Sequence, residues 1–329
     1  VKKFLRLTAW TFGFLFFCFL IVECAYRYQW WDFYGAEWSY FNEGKMKEQA
    51  EREVLVMGDS FTTSDKGYVD QLRTRFPSWN LANGGVPGTG VIEASYMAGR
   101  RFDERNPDTF IYQIYLGNDL FDITRPVHWG ELGTFRNLYW WWANRFRAFG
   151  WINYKMGQFQ AAPAADASWT EAAFSPESYN PREKRHFQSD PNWLRKQALP
   201  ESSDYASTRE SYLAYLDDLL ETAKDADAQV LLLVIPHCAH LGQPYQQRME
   251  ALGMKEGSPL AIDEDNAWLE AISIAAQTHA RVDMLFPLDQ LKQADQEAPV
   301  YYQNDLHLNA RGQTVVADAV AAWLIQHPQ

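Results

Sequence analysis

Val54-Leu55-Val56-Met57-Gly58-Asp59-Ser60 decides how this chain is read. Four apolar residues followed at once by a glycine and two small polar residues predict a buried strand that ends in a turn. In an open α/β sheet the carboxyl ends of the strands form the edge where ligands bind, which puts Ser60 at that edge. A serine there does chemistry only with a base and an oxyanion site. Downstream, in order, stand Gly88 within Asn83-Gly84-Gly85-Val86-Pro87-Gly88, the triplet Gly117-Asn118-Asp119, and Asp305-Leu306-His307. Together they offer a nucleophile (Ser60), a base (His307) held by an acid (Asp305), and oxyanion donors from the backbone of Ser60 and Gly88 and the side chain of Asn118. Each element alone has a plainer reading: a capping serine, a turn, a helix start. Their joint occurrence at strand ends favours catalysis.

These residues carry a family resemblance. The chain resembles the SGNH (GDSL-type) hydrolases, with Ser60 in the first block, Gly88 in the second, Asn118 in the third and His307 in the last. The resemblance spans about residues 53–324. It implies a flavodoxin-like three-layer α/β/α fold and ester hydrolysis or acyl transfer on lipids, thioesters or carbohydrates, with no cofactor. Many relatives carry the acid three residues before the histidine. Here that position is Asn304, so Asp305 is the available carboxylate, a spacing shared with polysaccharide O-acetylation proteins of the superfamily. The α/β-hydrolase pattern Gly-x-Ser-x-Gly does not fit, because Thr62 stands where its second glycine belongs.

Four more apolar runs, 79–82, 109–116, 229–235 and 281–286, join 54–57 as expected strands. Unbroken apolarity suits a parallel sheet covered on both faces. Helical patterns alternate with them: Tyr212, Leu216, Leu219, Leu220 and Ala223 share one face, as do Val316, Ala319, Val320 and Trp323. The alternation predicts a doubly wound parallel five-stranded sheet.

The chain has 329 residues, 47% hydrophobic and 22% charged, which describes a globular protein with ample core. A net charge of −12 argues against nucleic acid as a partner, since a phosphate backbone needs a basic face. Residues 15–22 (Leu-Phe-Phe-Cys-Phe-Leu-Ile-Val) are unbroken hydrophobe, and the apolar stretch reaches back to Phe4. Lys2, Lys3 and Arg6 flank it, so a single-pass cytoplasmic-membrane helix is expected over residues 1–27, amino terminus inside and the remainder periplasmic or extracellular. No small-x-small cleavage site follows, which favours a retained anchor over a signal peptide. Residues 28–52 read as an aromatic collar (Tyr28, Trp30, Trp31, Phe33, Tyr34) and a polar linker, and residues 53–329 as the hydrolase-like domain. Cys18, Cys24 and Cys238 form no disulfide framework.

Residues 121–205 are too long for an ordinary α/β connection. Within them, residues 135–157 hold Tyr139-Trp140-Trp141-Trp142 beside Arg136, Arg145, Arg147 and Lys155. On one helix, Phe135, Leu138, Trp142, Phe146 and Phe149 would share a face. That face fits a cap packed on the sheet; the alternatives are a membrane-resting helix, a carbohydrate platform or a docking face for a membrane partner. Part of the segment is expected to stay accessible. Residues 160–204 read as irregular loop. His237-Cys238-Ala239-His240 lacks the further ligands a metal needs and reads as pocket rim. Asp119 and Asp122 could pair as carboxylates for glycoside cleavage, but Asp119 reads as a structural member of the Gly-Asn-Asp turn, and His128, His186, His279 and His327 have no supporting context.

The expected function is a membrane-anchored serine esterase acting on an extracytoplasmic acyl ester, a glycan O-acyl group or a lipid. One alternative is an O-acyltransferase that receives its acyl group from a multispanning membrane acyltransferase. Another is a non-catalytic assembly subunit that retains the fold.

Overall fold

All five apolar runs are strands, and all five are parallel. In the computed structural model, which describes residues 2–123, 134–160, 173–199, 202–255 and 266–328, β1 is Glu53–Met57, β2 Asn80–Asn83, β3 Thr109–Tyr115, β4 Gln229–Ile235 and β5 Val282–Leu285. They lie in the order β2-β1-β3-β4-β5. Val56 pairs with Asn83 on one side and Ile111 on the other, and Ile111 pairs with Leu231. Every residue of β3 is buried, as a central parallel strand between two helical layers requires.

The helices Val91–Arg105, Ser203–Asp225 and Ala267–Thr278 pack together in one layer, and Tyr68–Arg75, Leu288–Asp295 and Ala310–Gln326 form the other. The residues expected to share the face of the long helix, Tyr212, Leu216, Leu219, Leu220 and Ala223, are all buried, and Tyr212 meets Trp268 edge-on at 4.4 Å. The outer side of β2 is occupied by the linker, and β5 carries a charged residue. Beside β2, Asn80 accepts from the Lys47 N–H and donates to the Lys47 carbonyl. On β5, Asp283 accepts from Trp323 Nε1 and Gln229. A charged or covered edge does not recruit a further strand.

Starting from β1, the chain goes outward to β2 on one side and returns to β3 on the other. This is the flavodoxin-like order, with its topological switch between β1 and β3. Ser60 follows β1 and Asn118 follows β3.

The chain divides into two compact units: Val1–Ala36 with Arg125–Ala161, and Glu37–Thr124 with Ala162–Gln329. The expected insertion is thus shared between them. In the first unit the helix Lys2–Arg27 is joined by Thr134–Arg145 and Ala148–Gln160. The single helix expected over 135–149 is broken at Phe146-Arg147. Its face does not form: Phe135 is 90% exposed and Leu138 52%, whereas Phe146 and Phe149 pack on Phe19 at 5.2 and 4.9 Å. Trp141 is 50% exposed, so the fully packed cap is not what this segment makes; the Trp140 side chain lies outside the described residues.

One other expectation is corrected. Among the described residues of 160–204, Pro181–Ser189 and Trp193–Ala198 are helices rather than irregular loop, and Ser203 begins the long one; residues 161–172 and 200–201 lie outside the described residues. The first two are anchored by few residues, with His186 and Phe187 buried in one and Trp193, Leu194 and Gln197 in the other. Within residues 28–52, Gly35–Asn42 is helical.

Candidate active site

Ser60 begins the turn that closes β1. Asp59 shapes it: its carboxylate accepts from the Phe61 N–H at 2.9 Å, and its own N–H donates to Gln113 Oε1 on the neighbouring β3. Gln113 also accepts from the Thr62 hydroxyl. Gly58 is glycine for lack of room, since a Cβ there would meet Gln113 Oε1 at 2.6 Å. The second loop is stitched to this one. Gly84 N–H donates to the Val56 carbonyl, Val86 N–H to the Gly58 carbonyl, and the Asn83 amide to the Thr62 carbonyl. Gly88 in that loop has φ +71°, a left-handed conformation that glycine adopts without cost.

After β3, the Asn118 amide donates to Asp122 Oδ2 at 2.6 Å. An amide carries two N–H groups, so this bond occupies one and fixes the direction of the other. Asp119 accepts from the Tyr115 N–H and ties the turn to the strand. Burial, then the charge of Asp59, push the Asp119 carboxyl well above the usual range. Burial likewise raises Asp59 to about 6 against the pull of the Phe61 N–H and of His307.

His307 arrives from the other end of the chain. The segment before the C-terminal helix is closed by a bridge between Tyr301 and Leu308 and by Tyr302 N–H to the His307 carbonyl. Asn309 then caps the helix by accepting from Gly312 N–H at 3.1 Å. That helix is pinned to the serine turn by Gln313, which accepts from Tyr68 N–H and donates to Ser64 Oγ and the Phe61 carbonyl. The result is a relay. His307 Nε2 stands 2.7 Å from Ser60 Oγ, and Nδ1 is hydrogen-bonded to Asp305 Oδ1, which also accepts from the His307 backbone N–H. The Phe61 ring lies 4.9 Å from the imidazole.

Asp305 and Asn304 do different things. Burial alone would raise the Asp305 pKa; the hydrogen bonds and charge of His307 and the Asn180 amide at 2.9 Å outweigh it, so Asp305 titrates below the ordinary carboxylate range. Asn304 is fully buried and faces the other way, accepting from Ser175 N–H and donating to the Ala173 carbonyl.

Ser60, Asp305 and His307 are therefore in hydrogen-bond sequence, and Gly88 and Asn118 lie in the loops that follow the two strands flanking the serine. Sequence reasoning missed Asn180, Gln113 and Gln313. Polar residues working across 125, 54 and 245 positions leave no periodic trace. His237 and His240 are not rim residues. Both are buried; His237 Nδ1 accepts from Ala239 N–H, and His240 Nδ1 from His237 N–H, locking the 238–241 turn. Burial, then His237, lower the His240 pKa well below normal. A surface cavity of 490 Å³ lined by Arg52, Asp108, Asp227 and Arg281 opens at the amino-terminal ends of the strands, the edge opposite Ser60. His128 lies outside the described residues.

No family model matches the chain, and no curated protein does. Among solved structures, the chain is similar to a catalytic mutant of an acetylxylan esterase from Geobacillus stearothermophilus, at 11% identity over 84% of this chain and 95% of that one, with a TM-score of 0.44. It is similar to an alpha/beta hydrolase enzyme from the metagenome of Lake Arreo, Spain, at 15% identity over 83% and 95%, TM-score 0.43. A psychrotrophic esterase from Pseudoalteromonas sp. matches at 13% identity over 84% and 100%, TM-score 0.40. Likenesses at this level carry no argument about residues or chemistry.

Proposed function

We propose that the chain is a serine esterase that works through an acyl-enzyme on Ser60. The observation that carries this reading is the continuous hydrogen-bonded sequence Asp305–His307–Ser60, at the sheet edge beside the topological switch. A serine hydroxyl is a weak nucleophile until a base takes its proton. His307 Nε2 takes it as Ser60 Oγ attacks the ester carbonyl carbon, and Asp305 stabilises the imidazolium without receiving the proton. The negative oxygen so formed is held by the N–H groups of Ser60 and Gly88 and by the free N–H of Asn118, a donor of the kind worth about 2.7–4 kcal/mol of transition-state stabilisation. Collapse breaks the ester C–O bond, and the leaving alkoxide takes the proton from His307. Water then attacks the acyl carbon, gives a proton to His307, and releases the acid; Ser60 recovers that proton.

The substrate class of this reading is an extracytoplasmic acyl ester, a glycan O-acyl group or a lipid. Support for that location comes from the N-terminal helix, 26 residues long with mean hydropathy 1.9 over its apolar window and with Lys2, Lys3 and Arg6 in its first turns. At about 1.5 Å per residue the helix exceeds the roughly 30 Å hydrocarbon layer.

The test uses the full chain in detergent with 4-nitrophenyl acetate. The expected results are a burst of nitrophenol, a 42 Da adduct on the Ser60 peptide (about the mass of an added acetyl group) and loss of both in Ser60→Ala, with at most the about 10³–10⁴-fold rate over water that oxyanion donors leave behind. Turnover retained by Ser60→Ala, or an adduct elsewhere, sinks the reading. Adding an oligosaccharide acceptor separates hydrolysis from transfer, because only transfer yields acetylated sugar.

A further inference from the structure

The first unit exposes apolar surface in two places that are physically joined. On the helix Lys2–Arg27, Phe4, Leu5, Leu7, Trp10, Phe12, Phe14 and their neighbours up to Phe17 point outward. The pair of helices Thr134–Arg145 and Ala148–Gln160 is fastened to the last third of this helix. Phe19 packs on Phe146 and Phe149. Glu23, buried, accepts from Arg147 N–H at 3.0 Å and Ala148 N–H at 2.8 Å, so its carboxylate caps the second helix of the pair, and Arg27 neutralises it at 2.5 Å. A carboxylate at a helix N-terminus satisfies open backbone donors and the helix dipole together. Below it, Trp151 Nε1 donates to the Phe33 carbonyl, and Tyr34 lies against Tyr154. The joint is therefore specific.

Outward from that joint, the pair presents Phe135, Leu138, Trp141 and Met156 to solvent, while Tyr28, Trp30 and Trp31 stand exposed just past the end of the long helix. Isolated exposed apolar residues need no explanation, but a group of this size on one unit does. The composition is informative: tryptophan and tyrosine with exposed Arg145 nearby are what a headgroup region favours, where a ring buries apolar area and keeps its polar atom wet. The joint at Phe19 and Glu23 lies where the apolar stretch ends and the first buried charge appears, so it fixes the pair at the level where the span leaves the hydrocarbon.

We propose that the helix pair of residues 134–160 is a second membrane element, lying in the headgroup–acyl boundary of the same bilayer that the N-terminal helix spans. It goes beyond the catalytic reading, and it rests on that section's anchor reading only for the identity of the bilayer. The pair then orients the long helix and prevents rotation about its axis, because an interfacial helix fixed to a spanning one must keep its apolar side toward the lipid.

The experiment uses the full chain reconstituted in phosphatidylcholine–phosphatidylglycerol vesicles, with Cys18→Ser and Cys24→Ser and the buried Cys238 kept. An environment-sensitive fluorophore is placed in turn at Phe12→Cys, Leu138→Cys, Trp141→Cys and Ser211→Cys, and quenched by lipids spin-labelled at shallow or deep acyl positions. Positions 138 and 141 should be quenched at least twofold more by the shallow label, position 12 more by the deep label, and position 211 by neither. If position 12 is quenched while 138 and 141 behave like 211, the pair is not in the bilayer and the proposal is overturned, with the anchor intact. Quenching at 138 and 141 without 12 supports the pair and removes the anchor; quenching nowhere removes both. The unsubstituted chain gives an independent reading. With a photoactivatable diazirine phospholipid, lipid adducts should appear on peptides from 134–160 as well as 2–27, and adducts confined to 2–27 overturn the proposal.

Discussion

The serine edge and the aromatic helix pair use their side chains in opposite ways. At the serine edge, Asp59, Asn83, Gln113, Asn304 and Gln313 are buried and hydrogen-bonded across loops, although Gln113 Nε2 and Asp119 Oδ1 are buried without a partner among the described residues. In the helix pair, Phe135 and Leu138 are out and the polar contacts gather at one joint around Glu23. The first arrangement makes geometry: a buried hydrogen-bonded network restricts where each of its groups points. The second makes surface: exposed apolar side chains add little to folding and matter through what they touch. Substitutions should therefore cost chemistry in one region, stability in its buried network, and neither in the other.

The largest expected effect separates two adjacent residues of the first region. Asp305→Asn should lower kcat by about 10⁴-fold, as a triad does on losing its carboxylate, with little change in thermal stability. Asn304→Ala should keep kcat within about tenfold while losing stability, because the Ser175 N–H and the Ala173 carbonyl lose their partner, at about 0.5–1.5 kcal/mol for each hydrogen bond lost. Steady-state kinetics and urea unfolding on both variants decide it. Equal losses of kcat would show that the acid has been assigned to the wrong residue.

That distinction also marks what was legible beforehand. Five strands could be read because a sheet covered on both faces demands unbroken apolar runs, and β1 to β5 contain them. Ser60, Gly88, Asn118 and His307 stand out because their motifs occur together and in order, three of them after strands, although each alone has a plainer reading. Charge singles out Asp305 as the acid, but the hydrogen bonds of Asn304 could not be foreseen, since its partners are 129 and 131 residues away. The helix break at 146–147 was hidden for the same reason. It is set by Glu23, more than a hundred residues earlier. The helices Pro181–Ser189 and Trp193–Ala198 are short, and among their described side chains only two and three are buried, too few to mark a period.

A smaller effect tests whether the buried network carries an electrostatic cost. Asp59 titrates near 6 in the folded chain against an ordinary 3.8. A raised carboxyl stabilises the fold while protonated, so its contribution is fully present below 3.8 and is lost as pH rises through about 6. Asp59→Asn is neutral throughout and keeps an oxygen for the Phe61 N–H. The stability difference should therefore move in the variant's favour by something on the order of 3 kcal/mol between pH 4 and pH 8, at 1.36 kcal/mol per pKa unit. Urea midpoints across that range measure it. A difference independent of pH would mean that water or a neighbour relieves the buried charge, and that the serine turn is wetter than its hydrogen bonding indicates.

The smallest expected effect concerns the aromatic side. Phe135 is 90% exposed, so its ring leaves water scarcely at all on folding. Burial is what makes an aromatic side chain stabilising, and a residue left outside contributes almost nothing of that kind. Phe135→Ser in detergent should change unfolding stability by no more than about 0.5 kcal/mol, the usual range for surface positions. Phe110→Ala in β3, where the ring is fully buried against Phe102 at 5.1 Å, should cost about 3–5 kcal/mol. The two phenylalanines differ only in environment, so a ratio this large isolates burial as the cause. If Phe135→Ser proved as damaging as Phe110→Ala, the ring would have to be covered within the protein itself, and the contrast between a region built for geometry and one built for surface would collapse. If it is silent in detergent yet weakens association with vesicles, the ring's partner is the lipid.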